Sequence, residues 1–593
     1  MPGLALTFLI STLCVLSRSV AGAPSHWEDT DGALPLLRYS LKRAAVEYTC
    51  LECKAAAAVL DTMMAAGASA MEIEDFAIQE CITFDLFPAD VCSEMVYLAG
   101  GEVLYVLNNT KYNYDTICGW LLGADCHNTE LDPWSLSIPG GKPEPFYPEP
   151  QQPTPSVVRI LHLSDLHVDL QYDEGSAVNC DHPLCCRHAF GDPGPGEEAA
   201  GHWGALGECD IPLHTLDDLL AQAATLSDAD LVYVTGDLPP HDVWAQSHES
   251  NLLAINVTLE LIKKYFPGIP VYNSLGNHAS APVNSFVVPA GYESGFNMEW
   301  LYEGVAEMWA PWLPEDTMDT IRLGGFFSHS PVPGLRVVSV NTNYCNSQNW
   351  WLLMENNDPV GELQWLVDTL AAAEAAGEVV HILGHIPPGG GDCDHIWSHI
   401  FSQIIARYES IIRGMFYGHN HKDQWHLLYD PATNYTHPTA TVLIPGAGTT
   451  EGLHAPAFRV YIVDAGHDNA TWTVLDTETY DMNLTLANQE GGQPEYTLRY
   501  TAQETYGLTC LSPTQMDELV IRLATDDALF YEYMRNYNNY QAEPPLNCDV
   551  DCRKSELCRL VAGDSSTDIP CRRIEEIIDA AQSRGDPQWY EGE

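Results

Sequence analysis

Short apolar runs alternate with amphipathic stretches along the middle of this chain. Between residues 157 and 446, seven runs have the length and character of buried strands: VVRILHL, ADLVYV, PVYNSL, LRVVSV, VVHIL, GMFY and ATVLIP. Apolar positions recur at helical spacing between several of them, in residues 216–226, 252–265, 361–376 and 400–412. Buried strands that alternate with helices predict an α/β domain, which we place over residues 157–488.

The regions on either side of this α/β domain have a different pattern. Residues 54–71 and 91–107 are compatible with helices and belong to a predicted helical domain over residues 46–130. Pro residues crowd residues 131–156, which therefore read as a semi-rigid linker. The pattern turns helical again in residues 489–593, where four Cys residues provide local staples.

The N-terminus carries one short apolar run, residues 4–16, followed by small residues at 19–23. The run is shorter than the roughly 20 residues that span a bilayer, and it is typical of a cleaved signal peptide, which we place over residues 1–23. An ordinary buried helix is the alternative. No later run is apolar for long enough to span a membrane, so we expect a soluble mature protein.

Cysteine content and glycosylation sequons agree with secretion. The chain has 18 Cys residues, a number typical of proteins from disulfide-forming compartments. Five Asn-x-Ser/Thr sequons are candidate glycan sites, beginning at Asn108, Asn256, Asn434, Asn469 and Asn483. We therefore expect passage through the secretory pathway.

The net charge of −56 restricts the partners of the chain. An acidic surface of this size repels phosphate backbones at neutral pH, so the sequence argues against nucleic-acid binding. Because 46% of the residues are hydrophobic, the chain can bury a sizeable core and is not globally disordered. We expect a folded monomer.

Residue types that bind metal ions stand directly after five of the predicted strands. In chain order they are Asp165, His167, Asp237, Asn277, His385, His419 and His421. The carboxyl ends of strands in open α/β sheets lie together, so five separate motifs can converge on one site. A single motif of this kind is more often a structural histidine, but all five in order predict a metal centre.

In this order the motifs resemble the calcineurin-like metallophosphoesterase superfamily, which implies a β-sandwich flanked by helices. The resemblance assigns Asp165, His167 and His421 to one metal ion, Asn277, His385 and His419 to a second, and Asp237 to both. Two such ions activate water and clamp a phosphate, so the implied chemistry is phosphoester hydrolysis. Histidine-rich ligation in an oxidising compartment favours two Zn²⁺ ions over Mn or Fe.

Six Cys residues fall in the predicted helical domain, at Cys50, Cys53, Cys81, Cys92, Cys118 and Cys126. Many pairings are possible, of which the nested set 50 with 126, 53 with 118 and 81 with 92 would staple two helical hairpins together. The spacing resembles the saposin family, whose domains present an apolar face to lipids. The resemblance implies a membrane-contacting saposin B-type domain, and a redox or zinc CxxC motif at Cys50 and Cys53 is the alternative.

Further segments resemble the acid sphingomyelinase family. They include Asp237-Leu-Pro-Pro-His241, YNSLGNHASAPVNSF at residues 272–286 and GHIPPG at residues 384–389. Pro240 stands where the wider superfamily has an Asp, three residues after the bridging Asp. The resemblance implies zinc-dependent hydrolysis of sphingomyelin to ceramide and phosphocholine at acidic pH, in lysosomes or outside the cell. It makes His278 and His241 the candidate general acids, because the ceramide alkoxide is a poor leaving group.

The same resemblance implies the remaining disulfides. It pairs Cys180 with Cys185, Cys186 with Cys209, Cys345 with Cys393, Cys548 with Cys552 and Cys558 with Cys571, and it includes the three nested pairs. Cys14 lies in the predicted signal peptide, so Cys510 is left over. We interpret Cys510 as a buried, inert thiol.

The sequence leaves two other functions open. One is that of acid sphingomyelinase-like phosphodiesterases, which share the catalytic motifs, act on nucleotides and other soluble phosphoesters, and lack the saposin-like domain. The other is that of a catalytically inactive lipid-binding or lipid-transfer protein. The six N-terminal Cys residues argue against the first, and the seven intact metal-binding positions argue against the second.

Overall fold

The structure, a computed structural model, describes residues 50–122, 131–143, 150, 156–489, 491–538 and 548–583. The predicted signal peptide, part of the predicted linker and Cys126 lie outside the described residues. No helix within these ranges is both long and apolar enough to cross a membrane.

Four helices form the N-terminal part of the structure, and we call residues 50–122 the helical module. They are α1 (Cys50–Ala65), α2 (Ala70–Thr83), α3 (Ala89–Asn109) and α4 (Tyr114–Leu122). One disulfide, Cys53–Cys118, joins α1 to α4, and another, Cys81–Cys92, joins α2 to α3. The module is therefore a nested arrangement in which the α2–α3 pair is enclosed in sequence by the α1–α4 pair, with one disulfide in each pair.

The helix expected over residues 54–71 is in fact broken between α1 and α2. Gly67 has a φ of +80°, a conformation that favours glycine over other residues. The side chain of Ser69 then accepts from the backbone N–H of Glu72, and the Glu72 carboxylate accepts from Ser69 in return. This capping box starts a new helix where the apolar pattern alone continues.

The α/β part contains fourteen strands among the described residues. They are β1 (Val157–Leu163), β2 (Val168–Asp169), β3 (Ile211–Pro212), β4 (Leu231–Val234), β5 (Val271–Asn273), β6 (Phe327–Val332), β7 (Leu335–Ser339), β8 (Val379–Leu383), β9 (Ile412–Phe416), β10 (Gln424–Tyr429), β11 (Pro438–Ile444), β12 (Ala457–Asp464), β13 (Val474–Met482) and β14 (Tyr496–Thr501). Two six-stranded sheets result, with the orders β14-β13-β12-β1-β4-β5 and β10-β11-β9-β8-β7-β6. Strands β2 and β3 pair separately.

Helices flank these sheets, which confirms the predicted fold class. They are α5 (Leu213–Leu226), α6 (His248–Tyr265), α7 (Glu299–Trp309), α8 (Met318–Gly324), α9 (Glu362–Ala376), α10 (His395–Tyr408), α11 (Leu484–Ala487), α12 (Ala502–Tyr506), α13 (Pro513–Thr525), α14 (Asp527–Asn538), α15 (Val550–Leu560) and α16 (Ile569–Ser583). Strands β1, β4 and β5 are parallel in one sheet, and β7, β8, β9 and β11 are parallel in the other.

The two sheets pack face to face through buried side chains with specific partners. The Tyr233 hydroxyl of one sheet lies 2.9 Å from His381 Nδ1 of the other, and the rings of Phe416 and Tyr461 meet edge to face. Ser339 Oγ donates to the Asn273 carbonyl oxygen across the same boundary. These contacts fix the orientation of one sheet relative to the other, and with it the relative position of the loops that follow their strands.

The C-terminal region is helical from α12 onward, as expected for residues 489–593, but it begins with a strand. Its first element, β14, pairs with β13, so the expected boundary after Asn488 divides one sheet. The strand lies at the sheet edge, where Tyr496 is buried, Leu498 is exposed and Tyr500 is half-buried. Helices α13 to α16 follow, and Arg573 of α16 reaches Tyr429 of β10 at 3.1 Å.

Seven disulfides lie in the described residues, and all are pairs that the family resemblance implies. The eighth expected pair includes Cys126. Cys510 is free and buried. The five sequon asparagines are all exposed, so each can accept a glycan without unfolding, and their glycosylation stays a prediction.

Candidate metal centre

The seven metal-type residues follow the carboxyl ends of five parallel strands from both sheets. Asp165 and His167 follow β1, Asp237 follows β4, Asn277 follows β5, His385 follows β8, and His419 and His421 follow β9. Five of them have positive φ angles between 37° and 73°: Asp165, His167, Asp237, His419 and His421. Such angles are uncommon for residues other than Gly, and they cluster at functional sites.

Glycines allow these turns to approach each other closely. A Cβ atom at Gly276 would overlap Asp237 Oδ1, and one at Gly418 would overlap Ser164 Oγ. Any larger residue at either position would push apart the loops that carry Asp237 and Asp165. The Gly residues beside the motifs are therefore needed for the convergence of the loops.

One group of ligand atoms comes from β1 and β9. Asp165, His167 and His421 are buried, and each offers one atom within 4.8 Å of the other two. The Nε2 atoms of His167 and His421 lie 3.2 Å apart, and His421 Nε2 lies 3.7 Å from Asp165 Oδ1.

A second group comes from β5, β8 and β9. Asn277 Oδ1 lies 3.0 Å from both His385 Nε2 and His419 Nδ1. Asp237 stands between the two groups, because its Oδ2 is 3.1 Å from His385 Nε2 and 3.6 Å from His167 Nε2. The structure thus brings together all seven residues that the sequence singled out.

The orientation of the imidazoles fits divalent metal ions. The outer nitrogens of two rings donate to backbone carbonyls, His167 Nδ1 to Pro239 at 2.7 Å and His385 Nδ1 to Thr235 at 2.6 Å. Their Nε2 atoms therefore present lone pairs to the centre. Carbonyl partners of this kind fix the tautomer of metal-binding histidines. The donor set of imidazoles, carboxylates and an amide oxygen suits a divalent transition-metal ion.

The electrostatics also keep the shared carboxylate ionised. Burial alone raises the pKa of Asp237, but the charge and hydrogen bond of His385 lead the opposing effects and hold the pKa well below its ordinary value. The backbone N–H of His278 donates to Asp237 Oδ1 at 2.9 Å. Asp237 can therefore act as an anionic ligand even in acid.

His241 lies beside the first group and is held by an aspartate. Its ring centroid is 3.8 Å from that of His167, and its Nδ1 is 2.8 Å from Asp210 Oδ1. Its backbone N–H donates to Asp210 Oδ2, and Thr449 Oγ1 donates to Asp210 Oδ1. Burial lowers the pKa of His241, but the Asp210 carboxylate outweighs burial and raises the pKa to about 9.

His278 lies close by in a different environment. Its ring centroid is 4.6 Å from that of His241, and burial holds its pKa well below the ordinary value. No hydrogen-bond partner for its Nδ1 is found among the described residues. Asn251 Nδ2 donates to its backbone carbonyl oxygen at 3.0 Å, which fixes the turn.

Three acidic residues at the site were missed by sequence reasoning. Asp210 supports His241, Asp392 Oδ2 lies 3.1 Å from His419 Nε2, and Glu451 Oε2 lies 3.9 Å from His421 Nδ1. The proposed ligands were found because each comes directly after an apolar run that predicts a strand. None of these three acidic residues has such a position. Asp210 follows Cys209, whose disulfide is predictable from the sequence. A neighbouring disulfide does not indicate that Asp210 contacts His241, which is 31 residues further along the chain.

Comparison with known proteins agrees with this site. A family model described as calcineurin-like phosphoesterase matches residues 158–423. A second, described as acid sphingomyelin phosphodiesterase C-terminal region, matches residues 441–578. The first family implies divalent metal ions, which the grouped Asp and His residues can hold.

Curated relatives extend the match over most of the chain. Sphingomyelin phosphodiesterase from Bos taurus is 40% identical over 89% of this chain and 84% of its own, and that from Homo sapiens is 39% identical over 89% and 83%. Acid sphingomyelinase-like phosphodiesterase 3b from Homo sapiens is 31% identical over 70% and 90%. The chain belongs to the sphingomyelin phosphodiesterase family, whose members are hydrolases.

Proposed function

We propose that this chain hydrolyses sphingomyelin to ceramide and phosphocholine at acidic pH with two Zn²⁺ ions. The observation that carries the proposal is the pair of buried ligand groups that meet at Asp237, next to the His241–Asp210 pair. The names of the relatives that cover most of the chain support sphingomyelin as the substrate.

Seven residues would hold the two ions. Asp165, His167 and His421 form one set, Asn277, His385 and His419 form the other, and Asp237 belongs to both. When bound, the ions supply Lewis-acid chemistry, because they stabilise charge on a phosphoryl group and acidify water. The carbonyls of Pro239 and Thr235 keep His167 and His385 oriented for this task.

His241 is suited to protonate the leaving group. The ceramide oxygen leaves as a primary alkoxide, which needs a proton in the transition state. With its pKa raised to about 9 by Asp210, the His241 ring is protonated throughout the acidic range. His278, whose pKa is well below its ordinary value, is neutral there, and we assign it to contact with the phosphate.

Asp210→Asn should shift the basic limb of the pH–rate profile to lower pH. Without the carboxylate, burial lowers the pKa of His241, so the ring loses its proton as pH rises through a lower value. We expect kcat near pH 7 to fall about tenfold or more, and to fall less near pH 5. Thr449→Val, which leaves the carboxylate in place, is the control. An unshifted profile would mean that Asp210 does not set the protonation of His241.

We further propose that the helical module is a saposin B-type domain, extending over residues 46–130, that contacts sphingomyelin-containing membranes. Its exposed apolar side chains include Met71, Phe84 and Tyr97, which are 67%, 47% and 61% exposed. A linker over residues 131–156 joins it to the catalytic domain. The disulfides support a secretory, lysosomal or extracellular location, and we propose that the protein acts as a monomer.

Hydrolysis of a soluble phosphoester is the second candidate, supported by the 31% identity to the acid sphingomyelinase-like phosphodiesterase. Phosphocholine release from sphingomyelin vesicles, measured beside hydrolysis of a nucleotide diester between about pH 4 and 7, separates the two. We expect the sphingomyelin activity to dominate at the acidic end. Activity on the nucleotide alone would favour the second candidate.

A further inference from the structure

The helical module packs directly against the loops that surround the metal centre. Tyr105 of α3 contacts Trp351, with ring centroids 5.9 Å apart. Thr110 Oγ1 donates to the Leu353 carbonyl oxygen at 2.6 Å. These contacts place the C-terminal half of α3 against residues 351–353 of the catalytic domain.

Glu102 of α3 is the polar centre of this interface. Its Oε2 accepts a hydrogen bond from Trp351 Nε1 at 3.0 Å and a short one from Ser285 Oγ. Trp351 Nε1 also lies 3.0 Å from Ser285 Oγ, so the three side chains form a closed cluster. One residue of the helical module thus holds two residues of the catalytic domain.

Ser285 belongs to the loop that carries Asn277 and His278. The backbone N–H of Asn284 donates to the Asn277 carbonyl oxygen at 3.1 Å, which closes the loop on itself. A displacement of Ser285 is therefore transmitted to Asn277 through one residue and one hydrogen bond.

A chain of hydrogen-bonded side chains continues from this loop to the second ligand group. Asn284 Nδ2 donates to Gln348 Oε1 at 3.0 Å, and Gln348 Nε2 donates to Asp392 Oδ1 at 3.2 Å. Asp392 Oδ2 lies 3.1 Å from His419 Nε2. Both Asn277 and His419 thus depend on the position of the loop that Glu102 holds.

We propose that Glu102 is a positioning residue for phosphodiester hydrolysis, which couples docking of the helical module to the geometry of the loop at residues 277–286. This inference rests on the proposed function. It gives the helical module a second task besides contact with lipid, because the site reaches its active geometry only when α3 is in place. Small displacements of reacting groups have large effects on rate.

The charge state of Glu102 supports this role. Desolvation raises the pKa of Glu102 to about 7, and the hydrogen bonds from Ser285 and Trp351 act in the opposite direction. No charged group in the described part of the chain offsets its desolvation. The side chains that act on this pKa are Ser285, Trp351 and Trp350 of the catalytic domain, and none of them is charged.

The raised pKa of Glu102 determines how docking of the helical module depends on pH. Below about pH 7 the docked Glu102 carboxyl group is neutral. Its carbonyl oxygen can then accept the hydrogen bonds from Ser285 and Trp351, and no charge has to be buried in the interface. Docking is therefore strongest below the ordinary carboxyl pKa of 4.5, weakens as pH rises from there, and is weakest above about pH 7, where the docked carboxyl group is also ionised. Glutamine reproduces the neutral form, because its amide oxygen accepts the same two hydrogen bonds.

The test compares Glu102→Ala, Glu102→Gln and a control at the same interface, all in the zinc-loaded full chain. The control is Asp90→Asn, because Asp90 contacts His182 at 2.8 Å but lies at the exposed edge, away from the loop. The substrate is bis(p-nitrophenyl) phosphate, a soluble diester that needs no membrane. Its use keeps the comparison valid if sphingomyelin proves a poor substrate.

For Glu102→Ala we expect kcat to fall on the order of tenfold with metal content unchanged, whereas Asp90→Asn keeps wild-type kcat. Glu102→Gln should match the wild type near pH 5 and exceed it above about pH 7, so the ratio of the two rates rises with pH. If Glu102→Ala is unstable, Ser285→Ala removes the same hydrogen bond from the other side and should lower kcat in the same direction. Wild-type kcat in Glu102→Ala or Ser285→Ala, or a ratio that stays flat with pH, would overturn the proposal.

Discussion

Asp237→Ala should abolish turnover and strip metal from the site. Asp237 Oδ2 lies between His385 and His167, so its removal takes a ligand from both groups at once. Metal ions contribute several kcal/mol of transition-state stabilisation, and each 1.4 kcal/mol is tenfold in rate. We therefore expect kcat to fall on the order of a thousandfold or more, and bound zinc to fall with it.

Steady-state kinetics and elemental analysis of the purified variant check this result. The control is Asp468→Ala, an exposed carboxylate in the same domain that should leave both readouts unchanged. Near wild-type turnover with two ions still bound would mean that Asp237 does not bridge the two groups.

His241→Gln should lower kcat by about a hundredfold or more and leave the metal content intact. The variant keeps a side chain beside His167 but removes the proton that Asp210 stabilises on the ring. General acid catalysis contributes a factor of this size. A diester with a nitrophenyl leaving group needs less protonation, so it should lose less activity than sphingomyelin.

The comparison of the two substrates decides the role of His241. Equal losses on sphingomyelin and on the nitrophenyl diester would show that His241 does not protonate the leaving oxygen. His188→Ala serves as the control, because His188 is 96% exposed and remote from the ligands.

The candidate metal centre was predictable because each proposed ligand follows a strand that is easy to recognise. Runs such as VVRILHL and VVHIL are continuous and apolar, and a Gly or a polar residue ends each of them. The ends of parallel strands must meet, so the positions of Asp165 and His385 follow from the pattern alone.

Other features depend on contacts between residues that are distant in the chain. Glu102 is 183 residues from Ser285, and no local pattern marks either residue as part of an interface. The sequence suggested two separable modules joined by a Pro-rich linker. The structure instead docks them, with Trp120 Nε1 donating to Asp394 Oδ2 at 3.2 Å and Glu102 beside the catalytic loop.

Strand β14 could not be predicted from the pattern of apolar residues either. Its sequence, YTLRYT, interrupts the apolar residues with Thr and Arg, so it lacks the continuous apolar run that identifies a buried strand. Leu498 is accordingly exposed in the sheet, and Tyr500 is half-buried. Its place at the sheet edge comes from pairing with β13, which is a tertiary contact.

Zinc titration of the metal-free protein, followed by phosphocholine release from sphingomyelin vesicles near pH 5, tests the central claim most directly. The claim is that two ions, held by the seven residues around Asp237, make this chain a sphingomyelin phosphodiesterase. We predict that release is absent without metal and reaches its maximum at two zinc ions per chain. Full release from the metal-free protein, or none with two ions bound, would contradict the account.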